Sequence, residues 1–589
     1  MMHSRKKTQS YGVNERHQVV WLIVLAVLMF VSIVFPLFQL FRKAFIDSKT
    51  LELGFSNFIT YFQTPSLSHS IINTLNISLW TTVISVVLAF IFAYAMARTG
   101  IAAKPLFRYI AMLPLFTPTM MHGIGLTYLF GNQGLFTTGF FGWLPFSFDI
   151  HLYGPVGIII SEVIYTFPQA FLILSISLAV TDYRMYEAAE TMGVGKISQF
   201  FNITLPSVKF GIISTCFVCF TLSFTDFGAP KVVGGQYNVL ATDIFKQVIG
   251  QQNMSMGAVV GMILIVPSIC SFIVDRIISR KQQGTFTAKS TVYVIKKSRM
   301  RDFWLTLYCS LISGCIVLLF AAVGFASMVT IWPYNLTLSF DHYRFYNAAG
   351  AGLSPFFNSI TMSFYTAIIG TAVIFFIAYM TEKIRLFAPL RQLLYFLAMI
   401  PLALPGIVIG LAFIFFFNMP NNPLHFMYNT MTILVLANIV HFFSVNFLSA
   451  TTALKQLDKE MEQAADSMNV SFYRTFFRIT VPMCMPAITG MMVYLFVNSM
   501  VTVSALVFLY GADLKPASVA IVNMEDAGDV AEAAAMSMLI LLVNLGVKGG
   551  YEGLVSLITK HRSKRSDKLR IKANSLNSIK KSVGVDAHV

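Results

Sequence analysis

The chain has 589 residues and a mean hydropathy of +0.70, with 56% hydrophobic and only 12% charged residues, about half the charged share of a soluble domain. Those figures exclude a soluble enzyme, a disordered chain and a disulfide scaffold. The net charge of +16 would suggest nucleic acid in a soluble protein; in a membrane protein such an excess collects in cytoplasmic loops, and no nucleic-acid partner is expected.

In chain order, residues 1–17 form a short basic segment, and apolar runs follow near 18–41, 72–97, 108–131, 154–180, 210–229 and 255–279. A basic stretch at 280–302 precedes a second set near 303–331, 358–380, 392–417, 429–452, 484–510 and 531–558, and 559–589 is a basic tail with few apolar residues, expected to lack order. Each run can cross a hydrocarbon core of about 30 Å. The predicted fold class is therefore an all-α polytopic membrane protein with about 12 transmembrane helices. The first run is too long for a signal-peptide core and reads as a retained helix. With the N-terminus placed inside, 35 of the 42 Lys and Arg fall on the inner side, so both termini are predicted to be cytoplasmic. The basic clusters at 276–301 and Lys560 to Lys581 read as solvated segments near anionic headgroups. Cys216 and Cys219 form a CxxC with no second Cys or His pair nearby in sequence, which reads as two packed thiols; no metal site is expected.

The two sets repeat one another. Asn73-Thr74-Leu75 and Ala93-Tyr94 return as Asn358-Ser359-Ile360 and Ala378-Tyr379, an offset of 285. Pro114, Pro118 and Gly123 return as Pro401, Pro405 and Gly410 at 287, and beyond the next outer loop the offset falls to 276. Six spans per copy make the repeats parallel, the first over 18–279 and the second over 303–558, joined by the basic linker. The prolines are expected to kink the third and ninth spans, and Gly123, Gly125, Gly406 and Gly410 to allow close helix contact.

The strongest motif lies after the fourth span, over 181–208. Asp182 precedes Glu187, Ala188 and Ala189; Gly193 follows, and then Ile203, Leu205 and Pro206. Asp182 can cap a short helix that Gly193 ends, Lys196 to Phe201 can start a second, and Pro206 limits it. At offset 276, over 453–483, the pattern recurs with Gln463, Ala464, Ala465, Asn469, Ile479, Val481 and Pro482. This pairing resembles the cytoplasmic EAA loops of the permease subunits of binding-protein-dependent ABC importers. The first copy matches every defining position. The second departs at Gln463, Asn469 and Val481, and the lost charge at Gln463 implies a weaker electrostatic contribution to docking.

The resemblance implies a bacterial inner-membrane permease whose loops seat in two copies of a separate ATPase subunit, with an extracytoplasmic solute-binding protein as a further partner. ATP and Mg would be bound by those ATPase subunits. This chain is expected to carry no cofactor and no catalytic residue of its own: it has no GxxxxGK[ST], HExxH or GxSxG. Along the path, Glu162, Asp226 and His122 are intramembrane candidates; their repeat partners are Asn438, Thr502 and Ile409, and His441 stands where the first copy has Tyr165. Each either faces a solute or satisfies a contact between helices. The fused form, with the stretches 401–413 and 224–253, looks like the ferric-iron, thiamine and 2-aminoethylphosphonate permeases. It looks closest to the last, with ferric iron as the alternative cargo and a proton-coupled secondary transporter as the alternative class.

Overall fold

In hydrocarbon a backbone must satisfy its own N–H and C=O groups, so the apolar runs form helices. The computed structural model describes residues 13–582 except 48–49, 51, 143–144, 146, 284–292, 296, 346–351, 385, 459, 461–464, 466 and 469. Among the described residues eight helices are long and apolar enough to cross a membrane: Glu15–Phe45, Pro65–Arg98, Pro155–Ala179, Lys196–Thr225, Met254–Ile278, Arg299–Ala326, Ser354–Glu382 and Val530–Lys560. Three bent pairs raise the number to eleven: Ala388–Ala403 with Gly406–Phe417, Met431–His441 with Phe443–Lys455, and Phe472–Met483 with Met485–Val501.

Lys104–Met112, Leu113–Phe116 and Thr119–Phe130 occupy the place that the first bent pair holds in the other repeat. Both segments break at a proline. Leu113–Phe116 and Ile400–Ala403 are tight 3-10 turns, extended backbone follows, and Pro118 and Pro405 each precede a new helix; the second pair turns through 113°.

The helices that carry Pro206 and Pro482 share a second irregularity. Phe200–Thr204 and Phe476–Thr480 are π-turns 276 residues apart, in which Leu205 and Val481 donate to the carbonyls of Phe200 and Phe476. A wider turn just ahead of the ring absorbs the backbone that proline disrupts, so Pro206 does not end the helix as its type suggested. The segment from Lys196 is the start of the fifth span.

Three further expectations are corrected. The fifth and eleventh spans stop at Thr225 and Val501, short of the predicted 229 and 510. The seventh stops at Ala326, and Val329–Ile331 pairs antiparallel with Asn335–Leu338, the one sheet among the described residues. The basic tail continues the last helix as far as Ser582, because no Gly or Pro interrupts a run rich in Lys and Arg.

The first span of each repeat reaches the other repeat. Trp21 donates to Tyr473 Oη at 2.7 Å and packs edge-on against Phe376, while Tyr308 donates to the Leu88 carbonyl at 2.8 Å. The two repeats are thus interleaved.

Candidate coupling surface and intramembrane site

In the first loop Asp182 Oδ1 accepts the Arg184 N–H at 3.1 Å, opening the helix Arg184–Thr191. The helix closes with Val194 N–H on the Ala189 carbonyl at 2.9 Å, Gly193 N–H on the Glu190 carbonyl at 3.0 Å, and Gly193 at φ +72°. That left-handed backbone is the reason for glycine here, since the space beside its Cα is open. Glu187 and Ala188 are exposed, while Ala189 is buried against the bundle, so the two alanines differ in what they can present to a partner. Tyr186 and Thr204 hydroxyls meet at 2.8 Å and tie this helix to the π-turn. Ile203 and Leu205 are half-buried and Pro206 exposed.

The second loop repeats the geometry where it is described. Asp458 Oδ1 accepts Glu460 N–H at 3.2 Å, Val470 N–H reaches the Ala465 carbonyl at 3.0 Å, Ala465 is buried, Ile479 is half-buried and Pro482 exposed. Gln463, Ala464 and Asn469 lie outside the described residues. Sequence reasoning missed Met192 and Met468, which are 73% and 70% exposed beside the helix ends. Their recurrence at offset 276, apolar in a surface loop, was the available signal.

Inside the first repeat, Glu162 is fully buried at mid-helix, neither of its carboxyl oxygens has a hydrogen-bond partner, and its carboxyl lies close to that of Asp226. Asp226 stands one residue past the fifth span, where its Oδ1 accepts the Thr119 hydroxyl at 3.0 Å and its Oδ2 accepts the Ala229 N–H at 2.9 Å. It therefore caps the short helix Gly228–Val233 as well as facing Glu162. No cation pairs with either acid among the described residues. Two carboxyl groups in this position need a proton or a cation between them.

His122 is packed: Nε2 lies 3.2 Å from Thr117 Oγ1, and its ring sits between Tyr165 and Phe320. Tyr165 itself lies close to the acid pair and to Tyr494 of the second repeat, which places the pair one side chain from the interface between repeats. The second-repeat candidates form no acid pair. Asn438 is buried with both amide atoms unpartnered, Thr502 donates to the Asn498 carbonyl at 2.7 Å, and His441 packs on Phe442 and Gly406.

At the end of the bundle opposite the two loops, Lys231 pairs with Asp526 at 2.5 Å, and Phe245 stacks on Phe508 with centroids 6.4 Å apart. Both contacts join one repeat to the other, and neither partner was singled out from the sequence. Among the described residues no three His, Cys, Asp or Glu side chains are placed to hold a metal ion.

Two blocks of the chain, 85–284 and 374–556, match the family described as binding-protein-dependent transport system inner membrane component. The chain belongs to this family. Both copies of the repeat are covered, and this inner-membrane component is a multi-pass permease subunit of an ABC importer, a class that works with an ATPase and a solute-binding protein. It is similar to the ferric transport system permease protein FbpB of Actinobacillus pleuropneumoniae, 26% identical over 93% of this chain and 80% of that one. It is also similar to the putative ferric transport system permease protein FbpB 1 of Haemophilus influenzae, 28% identical over 84% and 78%. A spermidine/putrescine transport system permease protein PotC homolog of Mycoplasma genitalium is 27% identical over 40% of this chain and 77% of its own.

Proposed function

We propose that this permease component forms the membrane path for ferric iron. The observation that carries the reading is the likeness to ferric permeases along nearly the whole fused chain. The Glu162–Asp226 pair agrees with it: two carboxyls without a cationic partner suit a hard cation that prefers oxygen donors. The expected 2-aminoethylphosphonate draws no support from these relatives. Its ammonium could meet the acids, but its phosphonate would face the same two carboxylates.

In this reading both termini and the loops at 181–208 and 453–483 are cytoplasmic. Each loop seats in one of two ATPase copies, which bind ATP and Mg, while the solute-binding protein delivers cargo at the opposite face. ATP-driven closure of the ATPase pair draws the coupling helices together and opens the outer end, where Lys231–Asp526 now closes the gap between repeats. Cargo then meets the acid pair as a passing counter-charge.

The test is ATP hydrolysis by the complex reconstituted with its ATPase and binding protein. Ferric iron and 2-aminoethylphosphonate are offered separately. Stimulation by ferric iron is expected; stimulation by the phosphonate alone would replace the cargo and leave the architecture unchanged.

A further inference from the structure

Arg98, at the end of the second span, is 2% exposed and has no carboxylate partner among the described residues. One guanidinium nitrogen donates to the Leu178 carbonyl at 2.9 Å, and Nε has no partner. Burying a guanidinium is costly, and here aromatic faces compensate. Its central carbon lies 3.9 Å from the Tyr293 ring centre and 5.4 Å from that of Tyr186. Tyr293 belongs to the linker between repeats, which was expected to be solvated. Instead it stands edge-on to Tyr183 and Tyr186, with centroids 5.2 Å away in each case. Just beyond, Asp302 accepts the Gly100 N–H at 3.3 Å, holding the linker's end against the same corner.

We infer that Tyr293 and Arg98 are positioning residues for coupling: the linker tyrosine clamps the first coupling helix onto the ends of the second and fourth spans. Movement of the helix Arg184–Thr191 is thereby passed to the bundle through Arg98 and Leu178, and through Tyr186 and Thr204. The second repeat lacks the parts. Lys383, Lys459 and Glu462 stand where the first has Arg98, Tyr183 and Tyr186, and an ammonium does not stack on rings as a guanidinium does. The clamp makes the two docking sites unequal in stiffness as well as in charge.

The inference rests on the permease reading but not on the cargo, so its test omits cargo and binding protein. ATP hydrolysis is measured in the full complex in proteoliposomes for the native chain, Tyr293→Ala and Tyr293→Phe, with ATPase co-purification recorded for each. A loosened helix can follow the ATPase without moving the spans, so Tyr293→Ala raises this idle hydrolysis by about threefold or more. Tyr293→Phe, which keeps the ring face, stays near native, and the ATPase remains bound in both. Native idle hydrolysis in Tyr293→Ala overturns the inference. So does equal behaviour of the two variants, and so does loss of the ATPase, which would make Tyr293 part of the docking surface instead.

Discussion

Thr119 lies against the bare Cα of Gly228, so that a Cβ at 228 would collide with the Thr119 hydroxyl. The second repeat reverses the pair: Gly406 takes the place of Thr119, Ser504 takes the place of Gly228, and a Cβ on Gly406 would collide with the Ser504 hydroxyl. Each repeat allows one side chain at the point where the broken span meets the segment past the fifth or eleventh helix. In the first repeat that side chain is also a donor to Asp226.

Gly406→Ala is therefore expected to destabilise the protein by about 1–3 kcal/mol, the usual range for overpacking. Adding Ser504→Gly should recover part of the loss, because the closer of two collisions is with that hydroxyl while the His441 ring remains. Thermal unfolding in detergent measures both. Equal midpoints for the single and double variants would show that the strain lies elsewhere.

Gly193 tests the helix end of the loop over 181–208 and its proposed part in coupling. At φ +72°, a side chain without polar help costs about 1–2 kcal/mol, and Asn is the tolerated exception. Gly193→Val should weaken ATPase capture, whereas Gly193→Asn, the residue that the second copy carries at 469, should hold it near native. Pull-down of the ATPase separates the two, and the idea fails if Asn and Val behave alike.

Asp226 has two duties, and substitutions can divide them. Asp226→Asn keeps an acceptor for the Ala229 N–H but removes the charge beside Glu162. Cargo uptake should fall roughly tenfold for a lost charge contact of ~1.4 kcal/mol, with ATPase binding intact. Asp226→Ala also loses the cap, worth about 1 kcal/mol, and should unfold earlier. Native uptake kinetics in Asp226→Asn would leave the residue with its cap alone.

Glu525 neighbours the Lys231–Asp526 bridge, and burial pushes its carboxyl up from 4.5 to about 7, against the pull of Lys231. The folded state then binds more protons than the unfolded chain between those values, so stability falls as pH rises from about 4.5 to about 7. Glu525→Gln should flatten that part of the stability profile. An unchanged slope would assign the pH dependence to another group.

Much of the site was legible because it is local. The Asp182 cap and the Gly193 turn follow from side chains acting on their own backbone within a few residues, and the repeat at 276 exposes the second loop. Local pattern misled at Pro206 and in the tail. One π-turn keeps the helix running through the proline, and propensity without a breaker extends the helix past Lys560. Asp226 read as a residue within a span because its neighbours are apolar; its bonds to Thr119 and Ala229 place it just beyond one.

By itself the sequence determined the class of solvent, the number of repeats, their parallel sense and the two repeated loop motifs, since hydropathy, charge asymmetry and spacing are properties of short windows. Only the tertiary structure decided which groups far apart in the chain meet. Glu162 faces Asp226, Lys231 crosses to Asp526, Trp21 reaches Tyr473 in the other repeat, and Tyr293 closes on Arg98. Those contacts arise from how helices of similar composition pack, and in a uniformly apolar chain packing is set by shape and by a few polar pairs that no periodicity announces.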